Sequence, residues 1–515
     1  MSLSPDNRSS MAPGISAIAA YIPPYRVDLA KWCDWYGHSA GKIQAVVGNS
    51  FRVRGPRENV YTMAAEAALR LIVRNQIDTT KIRFLALGTE SSTDNSAGAV
   101  VVKGLLNQVL PQLGLEPISR HCEVPEFKHA CLGGVYGLKS AARFLACEPE
   151  DSLALVICGD VAEYARGSSG EPTQGAGAVA MALSAKPALL ELLLPWSGSA
   201  SDYRLIDFRK PMSQASSRAP RPFGQSRDFP VFNGHYSTSC YLDATLTAMR
   251  DLWRRRGQAP KSYMESLAGV FMHRPYRRMP ETGLAISVLG AMAADDEAFA
   301  ALTAAAAEAG VDAAELKREL LATPDLLELV ADSRLNDDPY PLAMQVIRAV
   351  RKTELFNTYV GRPLTLGSEP MMEIGNLYTA ALPAWLGAGL EEAAGPGPLA
   401  SEPAAKLQAG DEILLVGYGS GDAAEAIPAR MVEGWQQAAS RIEFRGTLAD
   451  AIDLTQHQYE VLHDTGDCEG LRPPPAARFL LDRIGQRDDP EFADAGVEYY
   501  QVTARTEPQG SARSA

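Results

Sequence analysis

The stretch "EFKHACLGGVYGLKSAARFL", residues 126–145, sets the fold and the chemistry together. Cys131 stands between a short charged run and a glycine pair. Apolar residues then recur at Val135, Leu138, Ala142 and Leu145, the spacing of one helix face. The pattern predicts a helix over 133–147 with the cysteine at its mouth. Helix N-termini favour negative charge, so a thiol placed there is expected to ionise readily. Gly133 and Gly134 leave room for a substrate or a second backbone to come close.

Working outward, buried-strand patterns occur at "GISAIAAYIP" (14–23), "IRFLALGTES" (82–91), "SLALVICGD" (152–160), "AGAVAMALSA" (176–185), "LAGVFMHRP" (267–275) and "EILLVGYGSG" (412–421). A second long helical pattern runs over 59–76. Strands alternating with helices predict an α/β fold with buried sheets. The order also repeats. "FLALGTESS" is matched by "LAGVFMHRP", each a strand ending in a chemically capable side chain. The cysteine stretch is matched by "MEIGNLYTAALPAWL" (372–386), a polar residue opening an apolar helix, and "SLALVICGD" by "EILLVGYGSGD". A duplicated unit whose halves bring strand and helix ends to one site is the expectation. Three segments interrupt it: a Pro/Ser/Arg-rich loop at 208–230, an Ala-rich helical stretch at 291–330 broken at Gly310, and a connector at 391–410.

The chain has 515 residues, 46% of them hydrophobic, and a net charge of −13. That balance supports a sizeable core and argues against a nucleic-acid partner. No apolar run approaches the roughly 18 residues a membrane span needs, and no signal peptide is read at the start. Seven scattered cysteines without a CxxC pair suggest reduced thiols in a cytoplasm, and no metal site.

Further residues carry candidate chemistry. Glu90 closes an apolar strand; it is either a turn-capping carboxylate or a general base with a raised pKa. His273 follows a strand and precedes the basic pair Arg277 and Arg278, which can meet a phosphate or stay solvated. His235 and His129 compete with it but lack the strand-end placement. Asn376 is either a plain cap or a site residue. The run "GYGSGDAAEA" offers Gly419, Gly421 and Ala424 in a G-x-G-x-x-A spacing, which fits a dinucleotide turn. A turn donating N–H groups to an oxyanion fits equally well.

Together the stretches resemble the 3-hydroxy-3-methylglutaryl-CoA synthase family of the thiolase-like superfamily. The pieces that carry the resemblance are "GTESSTDNS", "EFKHACLGG", "DFRKP", "DFPVFNGHYSTSCYLDA", "FMHRPYRRM", "GNLYTAAL" and "GYGSGDAAE", in the family's order. The resemblance implies a five-layered αβαβα fold of two duplicated halves. It implies Cys131 as acylated nucleophile, Glu90 as acid/base and His273 at the second substrate's carbonyl. Asn376, Tyr378, Gly419 and Ser420 would form the substrate and oxyanion site, and Arg277 and Arg278 would meet CoA. Acetyl-CoA and acetoacetyl-CoA are the implied substrates, with no cofactor and a homodimer as the assembly. Two rivals share the fold: a polyketide β-branching synthase acting on an acyl carrier protein, and a Claisen-type ketoacyl synthase, which needs no base at Glu90. Departures fall at Leu132, where the family has tyrosine, at Val135, where it has threonine, and at Ser92, where glycine is common; all three are expected in the acyl pocket. The chain is thus expected to divide into a disordered tail (1–13), an N-terminal half (14–185), a C-terminal half with insertions (186–435) and an extension (436–515) with a disordered end.

Overall fold

A computed structural model describes residues 12–211, 229–395, 407–475 and 477–503. The expectations for the first 11 residues, the middle of the 208–230 loop, the 396–406 part of the connector and the last residues lie outside them.

The N-terminal part runs β1 (Gly14–Tyr21), α1 (Val60–Arg74), β2 (Ile82–Gly88), α2 (Gly133–Leu145), β3 (Leu153–Ala162) and β4 (Gly175–Ser184). It continues through β5 (Leu190–Leu192), α3 (Gly234–Arg256), β6 (Gly269–Met272), α4 (Arg278–Ala294), α5 (Ala381–Ala394), β7 (Glu412–Gly419), β8 (Ala423–Met431) and α6 (Gln456–Thr465). Local chemistry sets several ends. Asn59 accepts from the N–H groups of Tyr61 and Thr62 to start α1. Gly310, at φ 66°, separates two helices of the Ala-rich stretch.

The duplication is visible in the pairing. β2 is parallel to β3, β3 antiparallel to β4, and β4 antiparallel to β1. In the same way β6 is parallel to β7, β7 antiparallel to β8, and β8 antiparallel to β5. β1 and β5 pair antiparallel and join the halves in one hydrogen-bonded sheet. Alternation along β1 shows how the faces are covered. Ala17, Ala19 and Tyr21 pack with α1, while Ile15, Ile18 and Ala20 face the core that holds α2 and α5. α3 covers β8 on the outer face and α4 packs on α3. The layers are therefore helix, sheet, buried helix pair, sheet and helix, the expected thiolase-like architecture.

β7 turns directly into β8 as a hairpin, with Gly419 opposite Ala423. No helix follows the glycine turn, so the dinucleotide alternative for Gly419, Gly421 and Ala424 falls.

Candidate active site

β2 must come very close to α2 for the site to form. A Cβ on Gly88 would lie 2.4 Å from Gly134 N, and one on Gly133 would lie 2.4 Å from Phe127 O. The glycine pair thus admits a neighbouring backbone, and the close approach brings Glu90, two residues past β2, to Cys131. The Cys131 Sγ donates to Glu90 Oε2 at 3.4 Å. Ala130, just before the nucleophile, adopts φ 42°, and Tyr378, from the other half, adopts φ 46°. Both are left-handed positions that non-glycine residues rarely take, and both flank the thiol.

Cys131 packs with Ala162, Tyr164 and Tyr378, against Phe208 and Phe232. The rings meet edge to face, Tyr164 to Phe232 at 5.4 Å and Phe208 to Tyr378 at 5.9 Å between centroids. Lys210 Nζ lies 5.1 Å from the Tyr378 ring centre and 3.6 Å from Glu90 Oε1. The expectation of a ready thiolate is corrected here. Burial, with the Glu90 and Asp160 carboxylates nearby, pushes the Cys131 thiol well above its ordinary range, and Lys210 pulls the other way. α2 begins at Gly133, so Cys131 precedes the first turn, and desolvation outweighs the helix dipole. The resting pair is a thiol hydrogen-bonded to a carboxylate.

Asp160, the last letter of "SLALVICGD", organises this corner, and the sequence analysis gave it no role. It is fully buried. Its Oδ1 accepts from Glu90 N–H at 2.7 Å, from the N–H and hydroxyl of Ser91 and from the Thr89 hydroxyl. Its Oδ2 accepts from the N–H and hydroxyl of Thr379. A carboxylate closing an apolar strand was the signal that singled out Glu90, and the same signal was present at Asp160. Lys210, inside "DFRKP", was also missed. So was Asp207, which accepts from the Tyr418 hydroxyl and Gly421 N–H, each at 3.0 Å, and so holds the β7–β8 turn.

The other predicted residues are placed as follows. Gly419 packs against His129 O and the Leu132 backbone, beside the Cys131 loop, and Ser420 follows it in the turn. His273 follows β6, donates its N–H to Val416 O at 2.7 Å and stacks near Tyr418, 6.4 Å between ring centres. Burial lowers it to about 3, so it is a neutral imidazole. Among the described residues it makes no hydrogen bond to Cys131 or Glu90. Asn376 does not open a helix. Its Oδ1 accepts from Tyr378 N–H at 2.9 Å and shapes the turn ahead of α5.

Arg277 lines a cavity of about 500 Å³ with Arg274, Arg351 and Trp385, while Arg278 donates to Ala45 O. His235 is exposed, 3.5 Å from Asp338 Oδ1. Leu132 and Val135 correct a second expectation. A Cβ on Gly417 would meet Leu132 Cδ1 at 2.7 Å and Val135 Cγ2 at 2.8 Å. Both side chains fill the core between α2 and β7, away from the aromatic cage at Cys131.

Asp207, Cys240 and Asp422 gather their polar atoms within 4.8 Å of one another, all buried. Arg204, 3.7 Å from Asp422 and 2.6 Å from Asp243, supplies positive charge beside them. Burial raises Asp422 to about 8, so its carboxyl keeps a proton at neutral pH.

A strand-end carboxylate against a helix-mouth cysteine, on a duplicated αβαβα frame, defines a thiolase-like acyltransferase. Comparison with known proteins narrows the class. A sequence profile of the hydroxymethylglutaryl-coenzyme A synthase N terminal region matches residues 10–188. The hydroxymethylglutaryl-CoA synthase of Enterococcus faecalis is 26% identical over 88% of this chain and 91% of that one. The solved structure of MvaS in complex with 3-hydroxy-3-methylglutaryl coenzyme A superposes with a TM-score of 0.71 at 27% identity, over 96% of this chain and all of that one. The curacin biosynthetic pathway HMG synthase in complex with acetyl donor-ACP matches with a TM-score of 0.65 over 95% of this chain and all of that one; at 18% identity it shows the fold alone. The chain thus matches the hydroxymethylglutaryl-CoA synthase family over residues 10–188 and resembles hydroxymethylglutaryl-CoA synthases over most of its length.

Proposed function

We propose that this chain catalyses the hydroxymethylglutaryl-CoA synthase reaction, with Cys131 as nucleophile and Glu90 as acid/base. The observation that carries the proposal is the 3.4 Å contact between Cys131 Sγ and Glu90 Oε2 inside the aromatic cage. Because the thiol is protonated at rest, attack on acetyl-CoA passes the Cys131 proton to Glu90. Glu90 returns it to the departing CoA sulfur, leaving an acetyl thioester on Cys131. Glu90, again a carboxylate, takes a proton from the acetyl methyl group. The Cys131 and Ser420 N–H groups hold the enolate oxygen. The enolate carbon adds to the ketone carbon of acetoacetyl-CoA, whose oxygen lies at His273. A neutral imidazole donates a hydrogen bond there, and the proton on Glu90 neutralises the new alkoxide. Water then releases 3-hydroxy-3-methylglutaryl-CoA from Cys131. Asn376 supports Tyr378, and Arg277 and Arg278 serve CoA phosphates.

In this proposal the acceptor rides on CoA, supported by the MvaS complex at 27% identity. The chain works as a cytoplasmic homodimer; its seven unpaired thiols suit a reducing compartment. No helix among the described residues is long and apolar enough to cross a membrane. The test mixes purified protein with acetyl-CoA and acetoacetyl-CoA and looks for the six-carbon product, free CoA and acetyl on the Cys131 peptide. Turnover only with an acetoacetyl carrier protein assigns the polyketide reaction instead. Acetyl on another residue overturns the site.

A further inference from the structure

Tyr164 walls the Cys131 cage, and both of its backbone groups are held by side chains. Its N–H donates to Gln174 Oε1 at 2.9 Å, and its carbonyl accepts from His463 Nε2 at 2.9 Å, across 299 residues of sequence. Gln174 in turn donates to the Tyr459 hydroxyl, which donates to Glu171 Oε1. Tyr459 and His463 both belong to α6, so this late helix grips the wall of the cage from behind.

His463 is buried and stacks on Phe229, 5.4 Å between ring centres. Its Nδ1 faces Asp464 Oδ1 at 3.0 Å. A carbonyl only accepts, so Nε2 is the ring nitrogen that donates to Tyr164, and Nδ1 is held against the Asp464 carboxylate. Arg166, two residues past Tyr164, closes the clamp with Asp464 at 2.7 Å and Glu460 at 3.1 Å. Arg52, Arg54 and Glu163 line the small cavity beside the imidazole, Arg54 lying 3.7 Å from Glu163.

We propose that His463 is a positioning residue of the acyl cage: through an imidazole bridging Asp464 to the Tyr164 carbonyl, α6 sets the place of the Tyr164 ring and so the fit of the donor acyl group at Cys131. The proposal rests on the acyl-transfer chemistry proposed for Cys131. Nothing in the catalytic sequence needs His463 to touch substrate; it acts through Tyr164.

The test uses the full chain as wild type, His463→Ala, His463→Gln and Asp464→Asn. Acetyl on the Cys131 peptide is followed in time by mass spectrometry. Cys131 alkylation by iodoacetamide and the thermal midpoint are measured on the same samples. His463→Ala is expected to slow acetyl loading about tenfold and to change the alkylation rate at least about threefold. His463→Gln, whose amide N–H can replace Nε2, is expected to restore loading to within about threefold of wild type, with Asp464→Asn intermediate. Wild-type loading and alkylation in His463→Ala overturn the proposal, as does a Gln variant no better than Ala at an equal thermal midpoint. Should the Ala variant not fold, wild-type rates in Asp464→Asn overturn it instead. A wild-type chain that takes no acetyl on Cys131 overturns the acyl-transfer chemistry itself; alkylation rates, which need no acyl-CoA, then still report whether His463 sets the cage.

Discussion

Asp160 and Thr379 stand 219 residues apart in sequence and are joined by two hydrogen bonds, 2.5 Å from the Thr379 hydroxyl and 3.0 Å from its N–H. The other oxygen of the same carboxylate holds Thr89, Glu90 and Ser91. One buried side chain thus fastens the strand end that carries Glu90 to the turn that carries Tyr378.

Asp160→Ala takes the acceptor from the Glu90 and Thr379 N–H groups and from the Thr89 and Ser91 hydroxyls. Each such loss costs about 1–3 kcal/mol, so the variant is expected to lose at least about 3 kcal/mol of stability. Denaturant melts check this. An unchanged midpoint would mean that the two halves do not depend on this clamp.

Glu90→Gln keeps the shape of the side chain and removes the base. Product formation is expected to fall by about 10²–10⁴-fold, and Glu90→Ala similarly. A fully active Glu90→Ala would favour the Claisen-type reaction, which has no need of this carboxylate. Lys210→Met removes the cation 3.6 Å from Glu90. A loss of about tenfold in kcat, with KM little changed, is expected, and Lys210→Arg should recover part of it.

Asp422 gives a pH prediction of definite sign. Its folded-state pKa, raised to about 8, lies above the ordinary carboxylate value near 3.8. Between these values the folded chain binds the extra proton, so its contribution to stability is complete below about 3.8 and is lost as pH rises through about 8. Asp422→Asn mimics the protonated acid. It is expected to match wild type below about pH 4 and to melt progressively higher than wild type as pH rises to about 9. Equal pH dependence in the two proteins would show that Asp422 is ionised in the fold.

His273 works in the opposite sense. Its folded value of about 3 lies below the ordinary imidazole range, so protonation favours the unfolded chain. Stability is fully kept above about 6.5 and falls as pH drops towards 3. His273→Asn is expected to flatten that acid limb in thermal melts, and an unchanged limb would mean the imidazole takes up its proton in place.

Leu132→Tyr puts the family's residue back beside the nucleophile. Leu132 is fully buried against the Gly417–Gly419 strand. Overpacking there is expected to cost about 1–3 kcal/mol and to slow the reaction rather than improve it. Faster acetyl loading in this variant would place residue 132 at the acyl group after all.

The sequence by itself determined the elements and their order. Alternation and run length marked β1, β2, β3, β4, β6 and β7, and the 3.6-residue spacing after Cys131 marked α2, because burial on sheet and helix faces leaves a local period in the chain. It also marked Glu90 and Cys131, since a carboxylate or a thiol at an element's end stands out against an apolar run. What only the tertiary structure decided are the relations that leave no local period. Whether Cys131 is a thiol or a thiolate depends on desolvation by Tyr164, Tyr378 and two phenylalanines drawn from distant segments. Whether Leu132 faces substrate or core depends on a strand nearly three hundred residues later having glycine at 417 and 419. The roles of Asp160 and His463 exist only once partners far along the chain have been folded against them. Side-chain chemistry is written in the sequence; the dielectric and the neighbours that set its protonation are made by packing.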